Sequence, residues 1–218
     1  MSNVIVYYAH PGQKHSNVNR YMFAEAKNVP GITLVDLYAE YPRFEIDVDR
    51  EQQRLLAHDV ILFQFPLFWY STPSLIKEWL DLVLELGFAY GAGGDALTNK
   101  RLMLAVSAAG PEDAYTPSGY QRYPLRTFLT PIERTAGLCH MTFTPPYVLY
   151  EALQAPNQGL VTPHTNGYRR LLEAVRDDRF DFDAIDGQDV MTFSTLPIEA
   201  VNDQDVMTID TLPIETGA

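Results

Sequence analysis

Short hydrophobic runs alternate with segments of helical periodicity along this chain. Five of the runs predict strands, at residues 4–8, 32–37, 60–65, 101–107 and 139–144. Runs this short and this apolar are typical of strands buried on both faces of a parallel sheet. Helices are predicted between and after them, at residues 18–26, 49–56, 73–86, 124–136 and 168–176. The alternation predicts an α/β fold built on a doubly wound five-stranded parallel sheet.

Five strands in a segment of this length are typical of a flavodoxin-like topology. We expect one domain over residues 1–180, followed by a C-terminal extension at residues 181–218. Sheets of this kind bind ligands beyond the carboxyl ends of their strands. Three loops should therefore meet at one edge, at residues 9–19, 66–71 and 107–115.

The most informative stretch runs from residue 59 to residue 81. Pro66 should end a buried strand, because proline has no N–H to donate to the sheet. Pro73 suits the first turn of the next helix, where a missing N–H costs nothing. The loop between the two prolines carries bulky residues, Leu67, Phe68, Trp69 and Tyr70. Aromatic side chains at a ligand-binding edge predict a flat ligand or burial against another subunit. The alternative is that they cap the core.

The three loops offer complementary chemistry. Ser16, Asn17 and Asn19 precede a helix, whose N-terminus could receive a phosphate. Neither the G-x-x-x-x-G-K-[ST] nor the G-x-G-x-x-G phosphate motif occurs. The second loop supplies flat side chains, and the small residues after Ser107 allow a close backbone approach. A flat phosphorylated cofactor such as FMN fits this set, although another nucleotide stays open and His10 alone could be a local structural residue.

Several motifs resemble, in order and spacing, those of the flavodoxin-like NAD(P)H:quinone oxidoreductases. They are Tyr8-Ala9-His10-Pro11 with Ser16 and Asn19, Asp36 to Pro42, Phe65 to Pro73, Lys77 to Asp81, and Gly87 to Gly91. The resemblance covers roughly residues 3–178. Within that group, the chain is most similar to the ancillary proteins of glutathione-regulated potassium-efflux systems.

The resemblance implies which residues hold FMN. Its phosphate and ribityl chain would contact His10, Ser16, Asn17, Val18 and Asn19. Its ring would lie against Pro66, Leu67, Phe68 and Trp69, with backbone amides near Phe68 and Trp69 bonding its polar edge. The fourth-strand motif, normally Thr-Thr-Gly, is replaced here by Ser107, Ala108, Ala109 and Gly110, which removes hydroxyl groups that could bond the flavin.

The resemblance also implies a catalytic candidate. Tyr115 stands where related reductases place a tyrosine beside the flavin, and we expect it to donate a hydrogen bond to the flavin or the acceptor. The alternative is that its hydroxyl only caps the loop. A histidine that some of these enzymes use has no counterpart, since Gln121 falls at about its position.

The resemblance implies a reaction in two successive hydride transfers. NADH or NADPH would deliver hydride to FMN, and a quinone or similar acceptor would then take it. The family also implies a homodimer with the site at the subunit junction, and a membrane potassium-efflux transporter as a possible partner. The rival hypothesis is a non-catalytic regulatory subunit that retains the fold. An electron-carrying flavodoxin is less favoured, because the bulky loop would shield the ring edge.

Composition narrows the class of protein further. The net charge of −12 argues against a nucleic-acid binder, which needs a basic surface. Cys139 is the only cysteine, which excludes a disulfide framework and a thiol metal cluster, and we expect no metal site. No apolar run approaches the roughly 20 residues that span a bilayer, and no signal-peptide pattern begins the chain. We therefore expect a cytoplasmic protein, at most peripheral to the inner face of the membrane through a transporter.

The acidity belongs to the C-terminal extension. Residues 181–218 hold nine acidic and no basic residues, whereas the remainder holds 19 acidic and 16 basic ones. Residues 188–199 recur as residues 204–215 with ten of twelve positions identical at a period of 16. An acidic tail is ordinarily disordered. Because each copy also carries Val, Met, Leu and Ile, we expect extended arms that pack on the body or across a dimer.

Overall fold

A computed structural model of the chain describes residues 1–12 and 16–198. Within them, six strands form one sheet in which every pairing is parallel. They are β1 (Val4–Tyr8), β2 (Thr33–Asp36), β3 (Val60–Pro66), β4 (Arg101–Ser107), β5 (Thr142–Phe143) and β6 (Tyr147–Leu149). The order is β2-β1-β3-β4-β5, with β6 also beside β4. This order confirms the predicted flavodoxin-like doubly wound sheet.

In the described part of the chain, six α-helices cover the two faces of the sheet. They are α1 (Asn19–Ala26), α2 (Leu37–Glu40), α3 (Val48–Ala57), α4 (Ser74–Val83), α5 (Thr130–Leu138) and α6 (Val161–Arg176). Side chains alternate along β1, so Ile5 and Tyr7 join the core cluster under α3, α4 and α5, whereas Val4 and Val6 join the one under α1 and α6. Trp79, on α4, is fully buried in the first cluster and contributes on the order of 3 kcal/mol by its burial.

The predicted fifth strand is split into β5 and β6. β5 pairs with the start of β4 at Arg101 and Leu102, and β6 pairs with the end of β4. Pro145 and Pro146 separate the two halves, because neither can donate an N–H to the ladder. The predicted bounds of 139–144 were therefore wrong at both ends. Cys139 ends α5, and the parallel pairing resumes after the prolines in a strand that was not predicted.

Three predicted helices also differ in their bounds. The helix predicted at residues 73–86 is α4, which ends at Val83. The helix predicted at residues 124–136 is a 3₁₀ helix at Leu125–Leu129 followed by α5. α6 begins at Val161 rather than at residue 168. Pro163 hid this start, although a proline in the first helical turn is tolerated.

Gly167 also obscured α6, since glycine is unfavourable inside a helix. A Cβ at this position would lie 2.6 Å from the Tyr147 hydroxyl and 3.0 Å from Cβ of Phe193. α6 can therefore approach β6 this closely only because residue 167 has no side chain.

The first half of the C-terminal extension lies on the body. Ile185 and Met191 are buried, and Phe193, Leu196 and Ile198 pack against the core cluster under α1 and α6. The described part of the first repeat copy is thus an arm on the body, one of the two arrangements expected. The second copy, at residues 204–215, lies outside the described residues, and the division of the chain at residue 180 stays a prediction. None of the helices in the described ranges has both the length and the apolar character that a membrane crossing requires.

Candidate functional site

A cavity of about 370 Å³ opens at the carboxyl ends of β1, β3 and β4. Its volume falls in the range of small-molecule sites. It is lined by His10, Pro11, Asn17, Val18, Asn19, Pro66, Leu67, Phe68, Ser107, Ala109, Ala152 and Leu153. The three loops predicted to meet at this edge all contribute.

Backbone hydrogen bonds fix these loops to one another just beyond the strands. The Ala9 N–H donates to the Gln64 carbonyl at 2.9 Å, and the Leu67 N–H donates to the Ser107 carbonyl at 2.8 Å. The Ala108 N–H donates to the Leu149 carbonyl at 2.8 Å. The loops therefore leave the sheet in register, which gives the cavity a rigid floor.

A buried polar cluster lies under the cavity. Asn19 is only 2% exposed, and its Nδ2 donates to Ser107 Oγ at 2.6 Å. Gln64 Nε2 donates to the Asn19 carbonyl at 2.7 Å. Asn19 Oδ1 has no hydrogen-bond partner within the described residues. An unpartnered acceptor costs about 1–3 kcal/mol when buried, so a ligand that donates a hydrogen bond to this oxygen would relieve a cost already present.

The first loop leads into the N-terminus of α1. Ser16 is buried, and its Oγ accepts from the Arg20 N–H at 2.9 Å, so it caps the helix and does not line the cavity. Burial raises the pKa of the neighbouring Tyr8 to about 12. Asn17 is exposed and lines the cavity at the positive end of the helix dipole. Residues 13–15 of this loop lie outside the described part of the chain.

His10 lies at the β1 end of the same loop, just after the strand, and its side chain is buried. Its ring meets the ring of Phe68 edge-on, with centroids 5.9 Å apart. This contact joins the first loop to the second across the cavity.

The second loop is a tight turn made by aromatic residues. The Phe68 N–H donates to the Ser71 carbonyl at 2.9 Å, and the Ser71 N–H donates back to the Phe68 carbonyl at 3.0 Å. The two residues between them, Trp69 and Tyr70, have φ angles of +49° and +64°. Each bulky residue in this left-handed region costs on the order of 1 kcal/mol, and such strain collects at functional sites.

Trp69 stands at the rim of the cavity, not inside it. Its side chain is 93% exposed, and it is not among the lining residues. We expected the Phe68 amide to bond a ligand, but its N–H already donates to Ser71 within the turn. No hydrogen bond within the described residues uses the Trp69 amide.

The third loop brings small residues to the cavity but points its tyrosine elsewhere. Ala109 lines the cavity, whereas Ala108 is buried beneath it. Tyr115 is 8% exposed and packs against Gly110, Phe128 and Tyr150, outside the lining. Burial raises the pKa of Tyr115, and a hydrogen bond with the Gly110 backbone opposes the rise. In this arrangement, the hydroxyl caps the loop.

A fourth loop, after β6, was missed by the sequence reasoning. Ala152 and Leu153 line the cavity. The Ala152 N–H donates to the Ala108 carbonyl at 2.9 Å, and the Glu151 N–H donates to the Gly110 carbonyl at 3.0 Å. The loop was missed because β6 was missed. The available signal was the apolar run of residues 147–149 directly after the two prolines.

The predicted site residues thus fall into two groups. Nine line the cavity: His10, Asn17, Val18, Asn19, Pro66, Leu67, Phe68, Ser107 and Ala109. Five lie beside it: Ser16, Trp69, Ala108, Gly110 and Tyr115. Pro11 also lines it, although only its motif had been noticed. Within the described ranges, no three His, Cys, Asp or Glu side chains come together as a metal site.

Comparison with known proteins agrees with the fold of the chain. The family described as having a flavodoxin-like fold matches residues 2–169. The glutathione-regulated potassium-efflux system ancillary protein KefG of Yersinia enterocolitica is 43% identical over 171 residues, which are 78% of this chain and 92% of the relative.

Two solved structures extend the comparison. General stress protein 14 of Treponema denticola, solved in complex with FMN, is 33% identical with a TM-score of 0.73, and the match covers 79% of this chain and 99% of that one. An NADPH-quinone reductase from P. pentosaceus is 27% identical with a TM-score of 0.67, over 78% of this chain and 96% of that one. The chain belongs to the flavodoxin-like family, in the group that contains the ancillary proteins of glutathione-regulated potassium-efflux systems.

Proposed function

We propose that the chain is an FMN-dependent NAD(P)H:quinone oxidoreductase, acting on a quinone or a related acceptor, and that it is ancillary to a potassium-efflux transporter. The cavity at the carboxyl edge carries this proposal, because it joins a polar end at the start of α1 to an apolar end at Phe68 and Leu153. The FMN bound to the T. denticola protein and the names of the P. pentosaceus and Y. enterocolitica proteins support it.

The residues present fit FMN. Asn17 and the first turn of α1 offer a polar, positively polarised seat for a phosphate. Asn19 Oδ1 is a buried acceptor without a partner in the described residues, and it could receive a ribityl hydroxyl. Ala109 lets a flat ring approach the backbone, and Phe68 and Leu67 supply apolar surface on the other side.

When bound, FMN would supply the chemistry, by accepting hydride from NADH or NADPH and passing it to the acceptor. The chain's own residues bind and orient. The positively polarised N-terminus of α1 would bind the phosphate. Phe68 would exclude water from the ring, and the Asn19 side chain would orient the ribityl chain. Tyr115 remains the proposed hydrogen-bond donor, because the contact with the Gly110 backbone lowers its pKa and therefore uses the hydroxyl oxygen as an acceptor, which leaves the O–H proton to donate.

We propose a homodimer with the site near the junction of the subunits. An apolar groove of about 460 Å³ runs between α4 and α5 and is lined by Leu80, Leu84, Phe128 and Leu138, among others. Tyr70, in the second loop, packs against Phe128 with ring centroids 5.0 Å apart, so the groove is continuous with the exposed Trp69. A second copy would cover both. Leu138→Lys should yield a monomer by light scattering, with exposed Leu56→Lys as the control.

An absorption spectrum of the purified protein, followed by anaerobic titration, tests the activity. We expect a yellow protein that is bleached by NADH or NADPH and re-oxidised by a quinone. Ala109→Trp should abolish flavin binding by filling the cavity, whereas Ala109→Ser should preserve it. A colourless protein that binds no added FMN would contradict the proposal.

One observation favours the second candidate, a regulatory subunit without catalysis. Ser107 Oγ already accepts a hydrogen bond from Asn19, and Ala108 and Ala109 bring no hydroxyl, so the third loop offers a flavin a single serine hydroxyl besides its backbone groups. Binding of the chain to membrane vesicles that contain the transporter tests the partnership itself. If vesicles with the transporter retain no more chain than vesicles without it, the ancillary role and the proposed place at the inner face of the membrane fail.

A further inference from the structure

Met191 of the first repeat copy forms a parallel bridge with Tyr147 at the edge of β6. The Met191 N–H donates to the Pro146 carbonyl at 2.8 Å, and the Val148 N–H donates to the Met191 carbonyl at 2.8 Å. These bonds extend the sheet beyond β6, as peptides do when they add to an exposed sheet edge. The Met191 side chain is fully buried.

Both ends of the bound segment are held through backbone atoms. Arg126 Nη1 donates to the Gln188 carbonyl at 2.8 Å, and Arg170 Nη2 donates to the Ile198 carbonyl at 3.3 Å. Because carbonyl oxygens accept these bonds, the arginines would hold any sequence that followed the same path.

Hydrogen bonds within the segment also form a turn. The Thr192 N–H donates to Thr195 Oγ1 at 2.8 Å, and the Thr195 N–H donates to the Thr192 carbonyl at 3.1 Å. This turn directs Leu196 and Ile198 onto the core cluster under α1 and α6. Apart from the contact of Phe193, the side chains that are recognised are one buried methionine, two threonines and two aliphatic residues.

The second copy repeats all of these residues at the same spacing. It carries Met207, Thr208, Thr211, Leu212 and Ile214. The two copies differ only where Phe193 and Ser194 are replaced by Ile209 and Asp210. In the same groove, isoleucine would still offer an apolar side chain beside Gly167. An aspartate can accept the hydrogen bond that Ser194 Oγ shares with Thr192 Oγ1.

We propose that the groove formed by the β6 edge and α6 is a docking site for this twelve-residue sequence, and that residues 204–215 are a second occupant for it within the same molecule. Tethering gives the second copy a millimolar effective concentration at the groove. Looping out sixteen further residues adds only a small closure cost, since doubling a loop costs about 0.6 kcal/mol. The two copies would thus compete for one groove, and a bare β6 edge would be avoided whichever of them is displaced.

Hydrogen exchange at the Val148 amide tests the proposal in the full chain. Met191→Asp ejects the first copy, because a carboxylate cannot be buried there without a partner. We expect protection of Val148 to persist in Met191→Asp and in Met207→Asp, and to fall about a hundredfold only in the double variant. Equal loss of protection in Met191→Asp and in the double variant would overturn the proposal. So would protection in Met191→Asp that disappears on dilution, since the occupant would then come from another molecule.

A milder variant checks the same point without a buried charge. Phe193→Ile with Ser194→Asp gives the first copy the sequence of the second, and Met207→Asp disables the second copy itself. Protection of Val148 in this triple variant is expected to match that of Met207→Asp. Its loss, with an unchanged far-ultraviolet circular dichroism spectrum, would show that the second sequence does not bind the groove.

Discussion

Asn19 and Ser107 are 88 residues apart in sequence, yet Asn19 Nδ2 donates to Ser107 Oγ at 2.6 Å. The bond joins the start of α1 to the end of β4 directly under the cavity. The α1 side and the third-loop side of the cavity are therefore positioned by one buried contact, and a change at either residue should affect both sides.

Ser107→Ala should weaken both the fold and the site. It removes the acceptor of the Asn19 amide and leaves that buried donor unpaired, at a cost of about 1–3 kcal/mol. Urea unfolding should register the loss of stability, and fluorescence titration should register a lower affinity for FMN. Ser107→Thr keeps the hydroxyl and serves as the control. If Ser107→Ala matched Ser107→Thr in both measurements, the bond would not position the loops.

Tyr115→Phe should slow turnover more than it weakens flavin binding. If the hydroxyl donates to developing charge during the reaction, its removal costs roughly tenfold or more in turnover. Steady-state kinetics and FMN titration separate the two effects. Tyr150→Phe is a matched control, because its ring lies 5.6 Å from that of Tyr115. Unchanged turnover in Tyr115→Phe would assign the hydroxyl to capping the Gly110 loop.

His164→Phe should make the protein more resistant to acid. His164 is completely buried against Tyr147, with ring centroids 4.5 Å apart, and burial lowers its pKa to about 3. Below pH 6.5 the unfolded chain binds a proton at this residue that the folded chain does not bind. The free energy of unfolding therefore falls by about 1.4 kcal/mol per pH unit down to about pH 3.

Urea unfolding at pH 7.5 and pH 5 measures this contribution. From pH 7.5 to pH 5, His164→Phe should lose about 2 kcal/mol less stability than the unmodified chain. His140, which is exposed, provides the control as His140→Gln. An equal loss in the His164→Phe variant and the unmodified chain would mean that His164 is protonated normally in the native state.

A chain that ends at Phe182 should be less stable but should still bind flavin. The truncation removes the buried side chains of Ile185 and Met191, each worth about 1.5–3 kcal/mol. None of the residues lining the cavity is removed. Thermal unfolding should therefore shift downward while the FMN dissociation constant, measured below the transition, stays the same. A loss of FMN binding in the still folded chain would show that the arms complete the site.

The sheet was predictable because its strands are short apolar runs separated by clear turns. Its carboxyl edge and the three loops followed from the topology, and the family resemblance completed the set that includes nine of the cavity residues. β6 was not predictable by the same reasoning, since Pro145 and Pro146 divide an apolar segment that still pairs on both sides. The loop that carries Ala152 and Leu153 was lost with it.

The directions of side chains in the loops could not be predicted from the sequence either. The order of residues places Tyr115 near the site, but only packing against Phe128 and Tyr150 turns its hydroxyl toward Gly110. Similarly, the resemblance implied that Trp69 lies against the ring, whereas a left-handed turn closed by a hydrogen-bond pair between Phe68 and Ser71 leaves its side chain exposed at the rim. Side-chain direction in a loop is set by contacts that are distant in sequence.

The contact between Gly167 and Tyr147 links the substitutions that evolution can accept at these two positions. A methyl group at residue 167 would overlap the Tyr147 hydroxyl, which itself donates to the His164 carbonyl at 2.8 Å. In descendants or relatives that keep both segments, a larger residue at the helix position should arise only together with a residue lacking that hydroxyl at the strand position. The pair is expected to change jointly or not at all.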